Sequence, residues 1–270
     1  ELYRRVLERY VAMATEAGVP QAVFPEGGLS RDGRMREPRL GVLDYMLRGF
    51  RLDGERDLVF VPLGINYDRV LEDRTLLLSA EPGAPRAGRL RALAGTCGFV
   101  LRNLRLLARS EWHRFGYACV NFGSPVSMRE YCRARGLDFR AAAGEARRAA
   151  VARLGDDLME AVGRVIPVVP AALIATLFVR EPRRARSSLE LKAEVGALLE
   201  RLELAGARVH VPRGDLDYAL TVGLRMLRLR HLVEETEGLY RANPRELALL
   251  GYYANSIAHL ARLDEKITLQ

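Results

Sequence analysis

The chain has 270 residues, 49% of them hydrophobic, enough to bury a sizeable core and too apolar for an intrinsically disordered protein. A net charge of +8 favours anionic partners in general: phosphorylated metabolites, acidic carrier proteins, lipid headgroups or nucleic acid. That positive charge is interleaved with 34 acidic residues and no nucleic-acid recognition motif is present, so no nucleic acid partner is expected.

Cys97, Cys119 and Cys132 form no Cys-x-x-Cys pair and have no histidine at ligand spacing, which argues against a metal site or a disulfide scaffold and for a reducing compartment. The longest apolar run, Pro167 to Val179, is broken by Pro170 and falls short of the roughly 20 residues a membrane span needs. Any membrane contact is therefore expected to be peripheral. Glu1 opens the chain inside a helical pattern, so the sequence reads as the downstream part of something longer.

The apolar positions Leu2, Val6, Tyr10, Met13 and Ala17 predict a first helix, stopped by Gly18 and Pro20. A short strand is expected at Ala22 to Phe24, then a polar, glycine-rich turn from Glu26 to Arg34, then a helix from about Leu40 to Phe50. Leu58 to Ile65 reads as a buried strand interrupted by Pro62. Arginine and leucine alternate in helical register from Arg89 to Arg109, with Trp112 and His113 at the end, an amphipathic stretch suited to a solvated face or to a lipid surface. A third strand, Tyr117 to Phe122, closes at Gly123.

From about Asp138 strand signals vanish. Ala141 to Val165, Leu189 to Leu204, Leu216 to Leu232 and Pro244 to Leu263 all carry helical periodicity. Ser187 with Glu190 and Asn243 with Pro244 and Glu246 mark two helix starts. Gly136 punctuates the change, which divides the chain into 1–136, of α/β character, and a helical region, 137–270.

The turn after the first expected strand, Phe24-Pro25-Glu26-Gly27-Gly28-Leu29-Ser30-Arg31-Asp32-Gly33-Arg34, carries the chemistry. Its glycines let backbone approach a ligand, and its arginines present guanidinium forks suited to phosphate. On composition alone a solvated βα loop explains it better than a ligand site does. The stretch resembles the third sequence block of the glycerolipid acyltransferase superfamily, in particular the bacterial membrane-bound glycerol-3-phosphate acyltransferases. Val61-Pro62-Leu63-Gly64-Ile65-Asn66-Tyr67-Asp68-Arg69-Val70 is similar to the fourth block, and Val120-Asn121-Phe122-Gly123-Ser124-Pro125 to the strand beyond it. Tyr252-Tyr253-Ala254-Asn255-Ser256-Ile257-Ala258-His259 resembles a helix that this branch carries after its catalytic domain.

The resemblance implies the second half of a glycerolipid acyltransferase-type α/β domain with a mixed sheet, followed by a helical C-terminal region. It implies transfer of a fatty acyl group from acyl-CoA or acyl-carrier protein to the 1-hydroxyl of glycerol 3-phosphate, at the cytoplasmic face of the membrane and without a metal or other cofactor. Substrate contacts then fall to Glu26, Gly27, Gly28, Ser30, Arg31 and Arg34 on the acceptor side and to Pro62 and Tyr67 of the fourth block. Leu29 stands where the superfamily usually places an arginine, which leaves the phosphate to Arg31 and Arg34 or lowers the affinity.

Attack of a hydroxyl on a thioester needs a general base and a carboxylate to orient it. The family places both in a His-x-x-x-x-Asp motif upstream of the third block, and no histidine precedes Glu26 here. No catalytic residue is therefore assigned within the chain. His210 to Asp215 and His259 to Asp264 match the spacing, but Asp215 reads as a helix N-cap. On one helix His259 and Asp264 would point about 140° apart. Alternatives left open are a relative acting on dihydroxyacetone phosphate or a lysophospholipid, and a catalytically silent membrane- or carrier-binding module.

Overall fold

The computed structural model describes residues 1–78 and 116–260, a mixed α/β arrangement with short sheets. The expected 89–109 helix, with Trp112 and His113, lies outside the described residues. The chain forms two compact units interleaved in sequence: 1–30, 35–65 and 120–167 in the first, 31–34, 66–119 and 168–270 in the second.

In the first unit, α1 (Leu2–Glu16) packs on α2 (Leu40–Gly49). A Cβ at Gly49 would fall 2.3 Å from the Ala12 carbonyl oxygen, so glycine sets how closely the two helices approach. Strand β1 (Val59–Phe60) pairs antiparallel with β4 (Val126–Ser127), in the register Val59 to Ser127. Strand β4 runs directly into α4 (Met128–Arg135). Ser127 caps it by accepting from Glu130 N at 3.0 Å, and the Asp57 carboxylate accepts from both Ser127 Oγ and Arg129 N. Gly136 ends α4 in the left-handed conformation, φ 59°. The long α5 (Gly144–Val165) closes a core of Leu43, Leu47, Phe50, Met128, Phe139 and Leu154.

The apolar stripe of α1 points away from this core. Leu2, Val6, Tyr10 and Met13 are exposed, while Val11 and Ala12 are buried. The expected strand at 22–24 forms no ladder among the described residues. Pro20 and Pro25 bracket it, and Phe24 is 80% exposed. The 58–65 run is split as Pro62 demands, into β1 and β2 (Leu63–Tyr67). Strand β2 pairs with β3 (Ala118–Phe122), bounded by Gly123 N to Pro62 O at 2.8 Å and Asp68 N to Tyr117 O at 2.9 Å. That is an antiparallel pairing. Among the described residues the named strands pair antiparallel, the parallel element being a single bridge between Val168 and Val209, where the expectation was a mixed sheet.

In the second unit the central element is α6 (Pro170–Arg180), the apolar run noted in the sequence. Pro170 occupies its first turn, and its residues from Pro170 to Phe178 are all buried. Around it pack α7 (Ser188–Leu204), α8 (Leu216–Leu229) and α9 (Leu247–Asn255). Gly223 of α8 sits where a Cβ would meet Ile174 Cδ1 at 2.6 Å, so α8 lies unusually close to α6. Both expected caps form. Ser187 and Glu190 make a reciprocal capping box, and Asn243 accepts from Arg245 N, although a 3₁₀ turn, Pro244–Glu246, precedes α9.

The expectation that strands cease after Asp138 fails. Strands β5 (Arg186–Ser187), β6 (Val233–Thr236) and β7 (Leu239–Ala242) form an antiparallel sheet in the order β5-β7-β6. The β6–β7 hairpin turns on Glu237 and Gly238, both at positive φ, 53° and 75°. Its four-residue strands and three acidic positions hide the alternation in the sequence. Arg186 on β5 is buried and ion-paired at 2.8 Å to both Glu181 and Glu194. Among the described residues no helix is long and apolar enough to cross a membrane.

Candidate functional site

The glycine-rich turn belongs partly to each unit. In the first unit, Gly27 N donates to Phe24 O at 2.9 Å, and Gly27 lies at φ 67° with its missing Cβ 2.4 Å from the Arg39 side chain. The Glu26 carboxylate accepts from Arg36 N at 3.3 Å, and Pro25 O accepts from Arg39 N at 2.7 Å. Glu26 thus closes the turn onto the segment leading to α2. Gly28 and Leu29 are exposed and Ser30 is half-buried. Pro62 is buried, its carbonyl taken by Gly123.

In the second unit, Arg31 and Arg34 flank a tight bend and both are exposed. Asp32 Oδ1 accepts from Arg34 N at 3.1 Å, and Gly33 sits at φ 85° against α9, where a Cβ would fall 2.0 Å from the Tyr252 carbonyl oxygen. Asn255 Nδ2 donates to the Asp32 carbonyl at 2.8 Å. Only glycine combines that backbone angle with that approach.

The same turn of α9 also holds the end of the fourth block. Asn66 Nδ2 donates to Ser256 Oγ at 3.1 Å, and Val70 N donates to Tyr253 Oη at 3.3 Å. Tyr67, between them, is exposed. Within this unit, then, the Arg31–Arg34 bend and the Asn66–Val70 segment are fastened to one stretch, Tyr252 to Ser256.

Tyr253 is itself fixed by a buried cluster. Its hydroxyl donates to Asp73 Oδ2, and Arg230 donates to both carboxylate oxygens of Asp73, with Nη2 to Oδ1 at 2.8 Å. Asp73 opens α3 (Asp73–Leu78). Burial works to raise the Asp73 carboxyl, but the Arg230 and Tyr253 hydrogen bonds outweigh it and hold the group below the ordinary aspartate value. Burial pushes the Tyr253 phenol up. Asp73 and Arg230 carry no sequence signal, because the pairing joins residues 157 apart.

Asp68, also buried, accepts from Ala171 N at 2.9 Å at the start of α6 and from Tyr117 N at 3.0 Å. Burial raises its carboxyl, with those two amides and His210 acting in the opposite sense. His210 stacks edge-on against Tyr117 with ring centroids 5.1 Å apart. Asp215 accepts from Asp217 N and Tyr218 N as the cap of α8, so the His210–Asp215 spacing belongs to packing and capping. Asp264 lies outside the described residues.

The family described as "Glycerol-3-phosphate acyltransferase C-terminal region" matches residues 101–264, and the chain belongs to that family. Relatives named glycerol-3-phosphate acyltransferase include one from Pseudomonas savastanoi pv. phaseolicola, 29% identical over 273 residues, and one from Pseudomonas putida strain W619, 30% identical over 277. A third, from Pseudomonas fluorescens strain SBW25, is 29% identical. Each match takes in 97% of this chain and 31% of the relative, so the chain spans about a third of the length of these proteins.

Proposed function

We infer that the chain supplies the acceptor-binding part of a glycerol-3-phosphate acyltransferase of phospholipid synthesis. In this reading Arg31 and Arg34 grip the phosphate of glycerol 3-phosphate, and Tyr67 lies in the Asn66–Val70 segment held by the same stretch of α9. The 1-hydroxyl oxygen attacks the thioester carbonyl of acyl-CoA or acyl-carrier protein, its proton passing to a general base. The new C–O bond forms as the C–S bond breaks, the thiol leaves, and the product is lysophosphatidate. No described residue is assigned as that base. The work of this chain is to bind and orient the acceptor, at a peripheral membrane surface.

The observation that carries the reading is the bend at Arg31–Arg34, two exposed arginines on a backbone fixed by α9, in a chain of this family. Isothermal titration of the chain with glycerol 3-phosphate tests it. Binding is expected, and Arg31→Ala is expected to weaken it about tenfold or more, the scale of a charge-assisted phosphate contact. Absence of binding, or an affinity unchanged by Arg31→Ala, would overturn it. Parallel titrations with dihydroxyacetone phosphate and a lysophospholipid decide among acceptors that share the phosphate.

A further inference from the structure

The C-terminal helix has so far been a support without a functional role. We propose that Asn255 is a positioning residue for the phosphate-binding bend, acting through the Asp32 carbonyl, with Gly33 as the matching contact. The proposal rests on the acceptor-binding reading above and deepens it.

Three observations inside the second unit converge. First, the bend is short and polar, and it makes two specific contacts with α9: Asn255 Nδ2 to Asp32 O at 2.8 Å, and the Gly33 backbone against the Tyr252 carbonyl. The carbonyl that accepts from Asn255 belongs to Asp32, so this bond sets the Asp32–Gly33 peptide plane, inside the bend that separates Arg31 from Arg34. Second, Asp32 Oδ1 accepts from Arg34 N at 3.1 Å, so the orientation of Asp32 is passed on to the second arginine. Third, the platform is rigid for a reason unrelated to the bend: Tyr252, Tyr253 and Ala254 are buried, and Tyr253 is held by Asp73 and Arg230.

A bidentate guanidinium contact with phosphate depends on geometry as well as charge. An arginine on an unsupported exposed bend must order its backbone when the ligand arrives, and that cost is subtracted from affinity. Fixing one peptide plane from α9 removes part of it in advance. Asn255 touches no substrate in this account. Its amide NH₂ is the relevant group, and its size is incidental.

The test uses the full 270-residue chain with Asn255→Leu, which keeps the branched shape and loses the donor, and Asn255→Gln, which keeps a donor on a longer arm. Two readouts are taken: glycerol 3-phosphate affinity by titration, and the rate of tryptic cleavage at the Arg34–Met35 bond, followed by mass spectrometry. Asn255→Leu is expected to weaken binding about five- to tenfold, the scale of one net hydrogen bond. It is also expected to speed cleavage at that bond while the thermal midpoint stays near wild type, and Asn255→Gln is expected to recover part of both losses. Gly33→Ala should act in the same direction and more strongly, since its Cβ meets backbone.

If wild type binds, Arg31→Ala weakens it and Asn255→Leu changes neither affinity nor cleavage, the positioning role is overturned and the acceptor-binding reading stands. If Asn255→Leu and Asn255→Gln behave alike, the donor role is overturned. If wild type itself does not bind, both fall together.

Discussion

The two units use their apolar residues differently. The second is built around α6, whose buried residues are covered on every side by α7, α8, α9 and the β5-β7-β6 sheet. The first leaves many apolar side chains exposed: Leu2, Val6, Tyr10 and Met13 on α1, Val61 just ahead of β2, Leu63 and Ile65 on it, Val120 and Phe122 on β3. The same residue types are therefore worth several kcal/mol in one setting and little in the other. Hydrophobic content alone does not say which positions hold a fold together.

Phe178→Ala in α6 breaks the best-covered part of the molecule and is expected to cost about 3–5 kcal/mol, seen as a fall in the urea midpoint. Asp73→Ala belongs in the same range, about 3–5 kcal/mol, because it leaves the Arg230 guanidinium, 14% exposed, without its counter-ion. Ser187→Ala removes a capping box at an exposed helix start and should cost about 1 kcal/mol. Tyr10→Ser on the outward stripe of α1 should change the midpoint by no more than about 0.5 kcal/mol. A large loss there would mean that the stripe is covered in solution, and the contrast between the units would fail.

Acid sharpens the comparison further. The Asp73 carboxyl is held below its unfolded value, so its contribution is fully present above about pH 4, the ordinary aspartate range, and is lost as pH falls through the depressed folded value. Asp68 has the opposite sign: its raised carboxyl favours the protonated folded state, so its contribution weakens as pH rises from the ordinary value through the raised one. Asp73→Asn should flatten the acid limb of a stability–pH curve measured from pH 2 to 6. A limb as steep as in wild type would remove Asp73 from the account.

Much of this arrangement was legible in the sequence where the cause is local. Helices α1, α2, α5 and α7 follow from periodicity, and the caps at Ser187, Asp215 and Asn243 from short spacing. The orientation of α1 was not legible, because a periodic stripe shows that a helix has an apolar face without showing what it meets. The β6–β7 hairpin was hidden in charged, four-residue strands, although Glu237-Gly238 is the two-residue turn that marks it. Arg31, Gly33 and Arg34 were visible as a motif. Their attachment to Asn255 and the Asp73–Arg230–Tyr253 cluster were not, since those contacts join distant parts of the chain.

The bond between Asp32 and Asn255 spans 223 residues, which places a limit on the order of events during synthesis. The arginine bend leaves the ribosome well before the helix that fixes it has been made. At about 5–20 residues per second, the bend waits on the order of ten seconds or more for its platform. Throughout that interval the bend lacks the contact from Asn255, so its final geometry cannot be set before that helix is made.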